Sequence, residues 1–270
     1  MHHRGTFAED ALALEPALAG HAVGYTRAPI VDQTCGSLHQ RVAVSQLASG
    51  GAIDPHVHSY EEGVYIFSGR VALTVGDTEQ ELGPDDFAFI ETGIPHAWRN
   101  PAAEPVRWLE VSAPQPKPEG DDFPDTFFRS SADGAVPTVG HFDESQLPPL
   151  ALAGFTAANV SGASLKMLID PPLGAAHFNL FVVQYAPGGL IKEHDHAFEE
   201  AYFFVEGEIQ ATADGKSHTL RAGDYFWTGV GCPHAFENRS DGTVRWIETQ
   251  VPQPPSRKAA RFKVDWQDVG

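Results

Sequence analysis

At 270 residues, 42% of them hydrophobic, the chain has room for two domains of ordinary size, each with its own core. A formal net charge of −18 argues against nucleic acid or an anionic membrane as a partner, and no apolar run approaches the roughly 20 residues that span a bilayer. The two cysteines, Cys35 and Cys232, occupy unrelated contexts and make no disulfide framework; with no apolar leader in Met1–Asp10, a cytoplasmic protein is expected.

In chain order, residues 1–37 read as an N-terminal arm, with a hint of helical period only around Ala11–Ala19. Residues 38–116 form a first domain of short segments rich in Val, Ile, Phe, Tyr and Trp: Arg41–Leu47, Val64–Phe67, Arg70–Val75, Phe87–Ile90 and Val106–Val111. A linker rich in Pro, Asp, Glu, Ser and Gly covers 117–145, with Phe123, Phe127 and Phe128 expected to pack it onto a domain. A second domain, 146–256, carries Asn179–Tyr185, Ala201–Val205 and Tyr225–Thr228, and 257–270 form a C-terminal tail. Many short strands, punctuated by Gly76-Asp77, Gly83-Pro84 and Asp214-Gly215, predict an all-β fold built from sandwiches or barrels.

The two domains are copies. Shifted by 138 residues, Gly50–Pro116 falls on Gly188–Pro254 without a gap, and 23 of the 67 positions are identical. Unrelated segments of this composition would agree at roughly one position in fifteen to twenty, so the match records a duplication. The identities include His56/His194, His58/His196, Glu61/Glu199, Glu62/Glu200, Gly69/Gly207, His96/His234, Asn100/Asn238, Arg107/Arg245, Trp108/Trp246 and Glu110/Glu248. The tripeptide Pro114-Gln115-Pro116 also recurs, as Pro252-Gln253-Pro254.

Alternate residues of a strand share a face. His56, His58 and Glu62 have one parity, as do His194, His196 and Glu200, so extended structure through them aims all three side chains the same way. Past a turn, His96 and His234 join them. Val64, Ile66 and Trp98, and in the second copy Tyr202, Phe204 and Phe236, are expected to line the same interiors and to contact substrate. Three imidazoles and a carboxylate suit a divalent transition metal (iron, manganese, cobalt, nickel, copper or zinc) without selecting among them, while calcium and magnesium prefer oxygen. Such an ion can polarise a carbonyl, activate water or take a chelating substrate, and it also lets an acidic protein bind an anion.

These residues carry a resemblance. Gly188-x5-His194-x-His196-x3-Glu200-x6-Gly207 and Gly223-x7-Gly231-x2-His234-x3-Asn238 match the two motifs of the cupin superfamily, with Gly229 where proline is usual. The first copy matches through Gly50, His56, His58, Glu62, Gly69, Gly93, His96 and Asn100, and departs at Asp85 and Glu91, where glycine and proline are usual. The resemblance implies two tandem jelly-roll barrels (a bicupin) and a homodimer, but no single chemistry, because the fold hosts many. Ala186–Gly207 and Gly223-Asp224-Tyr225 are similar to the ureidoglycine aminohydrolase bicupins, which use manganese in the C-terminal cupin. Their metal set begins with glutamate and ends with glutamine, where this chain has His194 and His234; the present set looks more like that of quercetinase-like dioxygenases. On the family resemblance, iron or manganese is the expected ion.

Other repeated residues have plainer readings. Glu61 and Glu199, of opposite parity to the ligand glutamates, suit an ion pair or a subunit contact better than acid–base catalysis. His39 and His177 are as well suited to a structural role as to reaching the cavity, Arg107-Trp108 and Arg245-Trp246 to packing, Asn100 and Asn238 to bonding the motif turn, and Cys232 to filling space. The expected activity is a dioxygenase-type oxidoreductase acting on a small metal-chelating substrate, with the C-terminal copy the place to look for chemistry. A redox-neutral hydrolase or isomerase and a non-catalytic ligand binder are the alternatives.

Overall fold

The computed structural model describes residues 1–118, 123–129, 135–150, 158–254 and 260–263. In chain order the strands are β1 (His2–Thr6), β2 (Ala22–Val31), β3 (Arg41–His58), β4 (Glu61–Ser68), β5 (Val71–Val75), β6 (Thr78–Leu82), β7 (Asp86–Ile90), β8 (His96–Arg99), β9 (Val106–Ala113), β10 (Thr126–Phe128) and β11 (Thr138–His141). The second half continues with β12 (Val160–Ile169), β13 (Asn179–His196), β14 (Glu199–Glu206), β15 (Glu208–Ala213), β16 (Lys216–Arg221), β17 (Asp224–Thr228), β18 (His234–Glu237), β19 (Val244–Val251) and β20 (Ala260–Phe262). Only 3₁₀ turns, Glu9–Ala11 and Pro16–Leu18, occupy the stretch with a helical hint.

Two ten-stranded antiparallel sheets result, with matching orders: β11-β7-β4-β9-β3-β8-β5-β6, joined on β3 by β2 and β10, and β1-β17-β14-β19-β13-β18-β15-β16, joined on β13 by β12 and β20. The edge strands are exchanged. β1 precedes the first barrel yet pairs with β17 of the second, and β11 precedes the second barrel yet pairs with β7 of the first. The arm and linker of the sequence reading therefore supply strands, and each covers an edge that would otherwise lie open. Phe123, Phe127 and Phe128 do not attach the linker by burial, for they are 65%, 40% and 37% exposed. The register of β10 against His56–His58 holds it instead.

Period-two geometry divides the apolar residues among three cores. Val64, Ile66, Trp98 and Trp108 fill the first barrel, and Tyr202, Phe204, Phe236 and Trp246 fill the second. The opposite faces of the same strands, through Tyr65, Leu109, Ala201, Phe203 and Ile247, meet in a third core between the barrels. Strands covered on both faces lose the alternation of a half-exposed strand, which is why β4 and β14 read as continuous apolar runs. Gly63 fits this seam because a Cβ there would stand 2.8 Å from the Phe178 ring.

Glu61 and Glu199 close the seam reciprocally. Glu199 accepts from the Leu38 backbone N–H at 2.8 Å and the Ser37 hydroxyl at 2.6 Å, while Glu61 accepts from the N–H groups of Ala176 and His177 at 2.9 Å each. The repeated tripeptide holds the same loops, Gln115 donating to the Ser37 carbonyl and Gln253 to those of Ala175 and Phe178.

Candidate metal centres

The end of β3 and the start of β4 present His56, His58 and Glu62 to the interior, and β8 brings His96 against them; β13, β14 and β18 do the same for His194, His196, Glu200 and His234. Within each histidine triad the candidate ligand atoms all lie within 4.8 Å of one another, and all six residues are buried. Glu62 Oε2 lies 3.2 Å from His96 Nε2 and 3.9 Å from His58 Nε2. Glu200 lies 3.2 Å from both His196 Nε2 and His234 Nε2.

Local backbone geometry aims the rings. The Nδ1–H groups of His56, His96, His194 and His234 donate to the carbonyls of Asp54, Ile94, Lys192 and Cys232, each two residues earlier, at 2.7 to 3.1 Å. A carbonyl only accepts, so each of these rings keeps a lone pair on Nε2, facing the cluster. Burial, with the neighbouring His96 adding to it, pushes the pKa of His56 down to about 4, and burial takes His96 to about 4 as well. Burial and the adjoining imidazoles also depress His58 and His194. His56, His58, His96 and His194 are therefore neutral and able to ligate at physiological pH.

A cation fits these donors on an observation independent of motif spacing. Glu62 Oε2 and His96 Nε2 are buried without a hydrogen-bond partner among the described residues, yet face each other. Unpaired buried polar atoms are costly, and a divalent ion between them removes that cost.

The surroundings of the two centres differ. In the first barrel Glu110 receives Arg27 at 2.6 Å and the hydroxyls of Tyr25 and Ser45 at 2.8 Å each, and Arg27 is also paired with Glu15. Burial opposes ionisation of Glu110, but Arg27 and Arg41 outweigh it and lower its pKa; burial and the Glu110 charge lift Glu62 to about 8 in the metal-free protein. The equivalents of Tyr25, Arg27 and Ser45 in the second barrel are Ala163, Leu165 and Val183. There Glu248 accepts from Trp246 Nε1, at 2.8 Å, and burial and Glu200 raise its pKa well above the usual carboxyl range. Glu200 is held by Tyr202 Oη–H at 2.6 Å and Gln250 at 3.0 Å, and burial is outweighed by His196 and His234, so its pKa falls.

Cavity space differs too. A cavity of about 270 Å³ adjoins the first centre, lined by Arg27, Arg41, His58, Tyr60 and Thr126 among others. The cavity walled by all four donors of the second centre measures about 60 Å³ and is completed by Tyr185, Tyr202, Phe236, Trp246, Glu248 and Gln250, while a surface pocket of about 440 Å³ touches His194 alone among those donors. Of the expected substrate-contacting residues, Tyr202 and Phe236 line a cavity, while Phe204 lies off its lining. Val64, Ile66 and Trp98 are packed in the first barrel's core, apart from the lining of the adjoining cavity.

The plainer readings of the repeated residues find their partners here. Asn100 and Asn238 donate to turn carbonyls, including those of Glu104 and Gly242. Arg107 pairs with Glu9 and Arg245 with Glu144, and His177 is exposed. Asp85 takes the left-handed conformation (φ 67°) that Gly223 takes at φ 88°, held by Tyr65 Oη–H at 2.6 Å, so the motif glycine is replaced without changing the turn. Arg27 lies outside the repeated segment and was not singled out in the sequence, whereas Glu110/Glu248 stood among its identities without an assigned role.

The model of the family described as Cupin domain matches residues 43–112 and 181–249, together just over half the chain. With two such barrels and two triads suited to a divalent transition metal such as manganese or iron, the protein belongs to the cupins and is a metal-binding bicupin. Oxalate decarboxylase of Lactobacillus farciminis superposes with a TM-score of 0.70 at 15% identity, over 99% of this chain and 90% of that one. The Bacillus subtilis oxalate decarboxylase gives 0.70 at 16%, over 97% and 80%. Such likeness speaks for the fold alone. In sequence, the tetracenomycin polyketide synthase protein TcmJ of Streptomyces glaucescens is 26% identical over 108 residues, 39% of this chain and 72% of TcmJ. Among the described residues, no helix is long and apolar enough to cross a membrane.

Proposed function

We infer that the protein is a mononuclear-metal enzyme, a dioxygenase-type oxidoreductase acting on a small organic molecule that chelates the ion through its oxygens. The observation that carries this reading is the buried set of three neutral imidazoles and one carboxylate beside a cavity of about 270 Å³, a volume suited to a small organic ligand. In this reading His56, His58, His96 and Glu62 hold one ion, and His194, His196, His234 and Glu200 the other. The bound metal supplies Lewis acidity and one-electron chemistry. The protein's own groups do the rest: Arg27 keeps Glu110 ionised, the carbonyls two residues before the histidines fix their tautomers, and the barrel excludes water.

Cavity size moves the expected place of the organic substrate to the first barrel, because about 60 Å³ at the second centre admits only a few atoms. The test is oxygen uptake by Fe(II)- or Mn(II)-loaded protein with phenolic, diketone and organic-acid chelators. Uptake stoichiometric with substrate loss, both oxygen atoms appearing in products, supports the reading, and substrate loss without uptake overturns it.

A second reading, a redox-neutral hydrolase or isomerase, is favoured by one observation. Glu248 is a buried carboxyl at the wall of the second cavity whose pKa burial and Glu200 raise well above the usual carboxyl range, a proton donor needing no oxidant. Ammonia release from an acyl-urea without oxygen uptake selects it.

A further inference from the structure

We propose that Arg41 anchors a carboxylate at the mouth of the first barrel, so that the ligand of this centre is an organic acid whose other end reaches the metal. This rests on the reading of His56, His58, His96 and Glu62 as a metal site.

The cavity beside His58 carries three cations in a protein of net charge −18: Arg27, Arg41 and Lys117. Two of them are already matched. Arg27 is clamped between Glu110 and Glu15, and Lys117 lies 3.7 Å from Asp125. Arg41 has no carboxylate at ion-pair distance among the described residues. Its contacts are a long 3.5 Å approach to the Tyr60 hydroxyl and the face of that ring, 5.9 Å from its centroid, and its Nε is buried without a partner. Tyr60 stacks on His58 with ring centroids 4.4 Å apart, so one aromatic ring separates the guanidinium from a metal donor.

A half-buried guanidinium that feels the Glu110 charge only from beyond ion-pair distance keeps its donors free, and a planar bidentate carboxylate is their natural complement. The duplication gives an internal control. At the positions of Arg41, Arg27 and Tyr60 the second barrel has Asn179, Leu165 and Phe198; the cavity walled by all four of its metal donors holds no cation, and the two cations beside His194 in a neighbouring surface pocket, Arg261 and Lys263, are paired with Asp195 and Glu193. The anion-receiving mouth is therefore a property of one copy, as expected of a ligand site and not of a feature the fold requires.

The probe is succinate, with succinamide as its neutral counterpart, and the protein is the Mn(II)-loaded chain with metal content measured on the same sample. Relaxation of the probe's methylene protons by Mn(II) reports both binding and closeness to the ion. The expected result is enhancement by wild type and by His194→Ala, at least tenfold weaker succinate binding in Arg41→Met, partial recovery in Arg41→Lys, and no enhancement with succinamide. Equal succinate binding by Arg41→Met and wild type, or equal binding of succinamide, overturns the proposal. Absence of retained manganese counts against the metal site alone; calorimetry of succinate with metal-free protein then reads the arginine by itself. Heat lost in Arg41→Met supports the anchor, and equal heats in both proteins overturn it.

Discussion

The two barrels keep the same four donor positions and differ in much of the layer behind them. Around the first centre, Tyr25, Arg27, Ser45 and Glu110 form a charged network beside a wide cavity. Around the second, Leu165, Val183, Tyr202 and Phe236 leave a narrow aromatic slot and a carboxyl, Glu248, whose pKa is raised well above the usual range. One identical glutamate pair thus titrates in opposite directions, because Arg27 and Arg41 act on Glu110 where the second copy has Leu165 and Asn179. Ligand identity after a duplication is constrained by the metal, whereas the residues behind the ligands are free to diverge and set what each site can take.

The largest expected effect separates the copies at that position. Arg27→Met strands Glu110 and Glu15 in the interior and should cost about 3–5 kcal/mol in urea unfolding. Leu165→Met at the equivalent place should cost less than about 1.5 kcal/mol. Equal costs would remove the contrast. The seam between the barrels should be near-symmetric: Glu61→Gln disturbs two accepted hydrogen bonds and Glu199→Gln the equivalent two plus a longer one from Trp227 Nε1, and each should cost about 1–3 kcal/mol. A smaller effect belongs to the second barrel alone. Tyr202→Phe removes a 2.6 Å bond to Glu200 and should weaken metal binding there by about 10–100-fold in competition with a chelator. The first site, with Val64 in its place, should be unmoved.

Acid offers the mildest probe. In the metal-free protein His56 and His96 have pKa values of about 4, against an ordinary 6.5. Between those values the unfolded chain takes up protons that the folded chain refuses, so the histidines' contribution to stability falls as pH drops from about 6.5 through about 4. Glu62 and Glu248, whose pKa values are raised, act in the opposite sense, so the fall in the urea midpoint of metal-free protein from pH 7 to pH 5 should be steeper in Glu62→Gln than in wild type.

Much of this was legible in the sequence because strand parity is a strict rule. His56, His58 and Glu62 share a face, and the alternate residues Gly63, Tyr65 and Phe67 turn to the seam, as period two requires. Repetition exposed the donors, the motif asparagines and the Pro-Gln-Pro clamp. What it did not expose was whatever differs between copies or pairs across them. Arg27 aligns with a leucine and so carried no signal, and the partners of Glu61 and Glu199 lie more than a hundred residues away. The crossing of β1 and β11 to opposite barrels is likewise a choice among sheet edges, and short polar segments do not encode which edge they will cover. Cavity volume depends on how rings pack, so the second centre's more complete motif gave no warning of its smaller space.

The measurement that bears most directly on the account is the metal content of gently purified protein, determined by elemental analysis alongside His56→Ala and His194→Ala. Two unlike centres built on the same donors predict two equivalents of a divalent transition metal per wild-type chain and one in each variant. The two variants should also differ in the spectroscopic signature of the ion that remains. An unchanged content in either variant, or identical signatures from both, would contradict it.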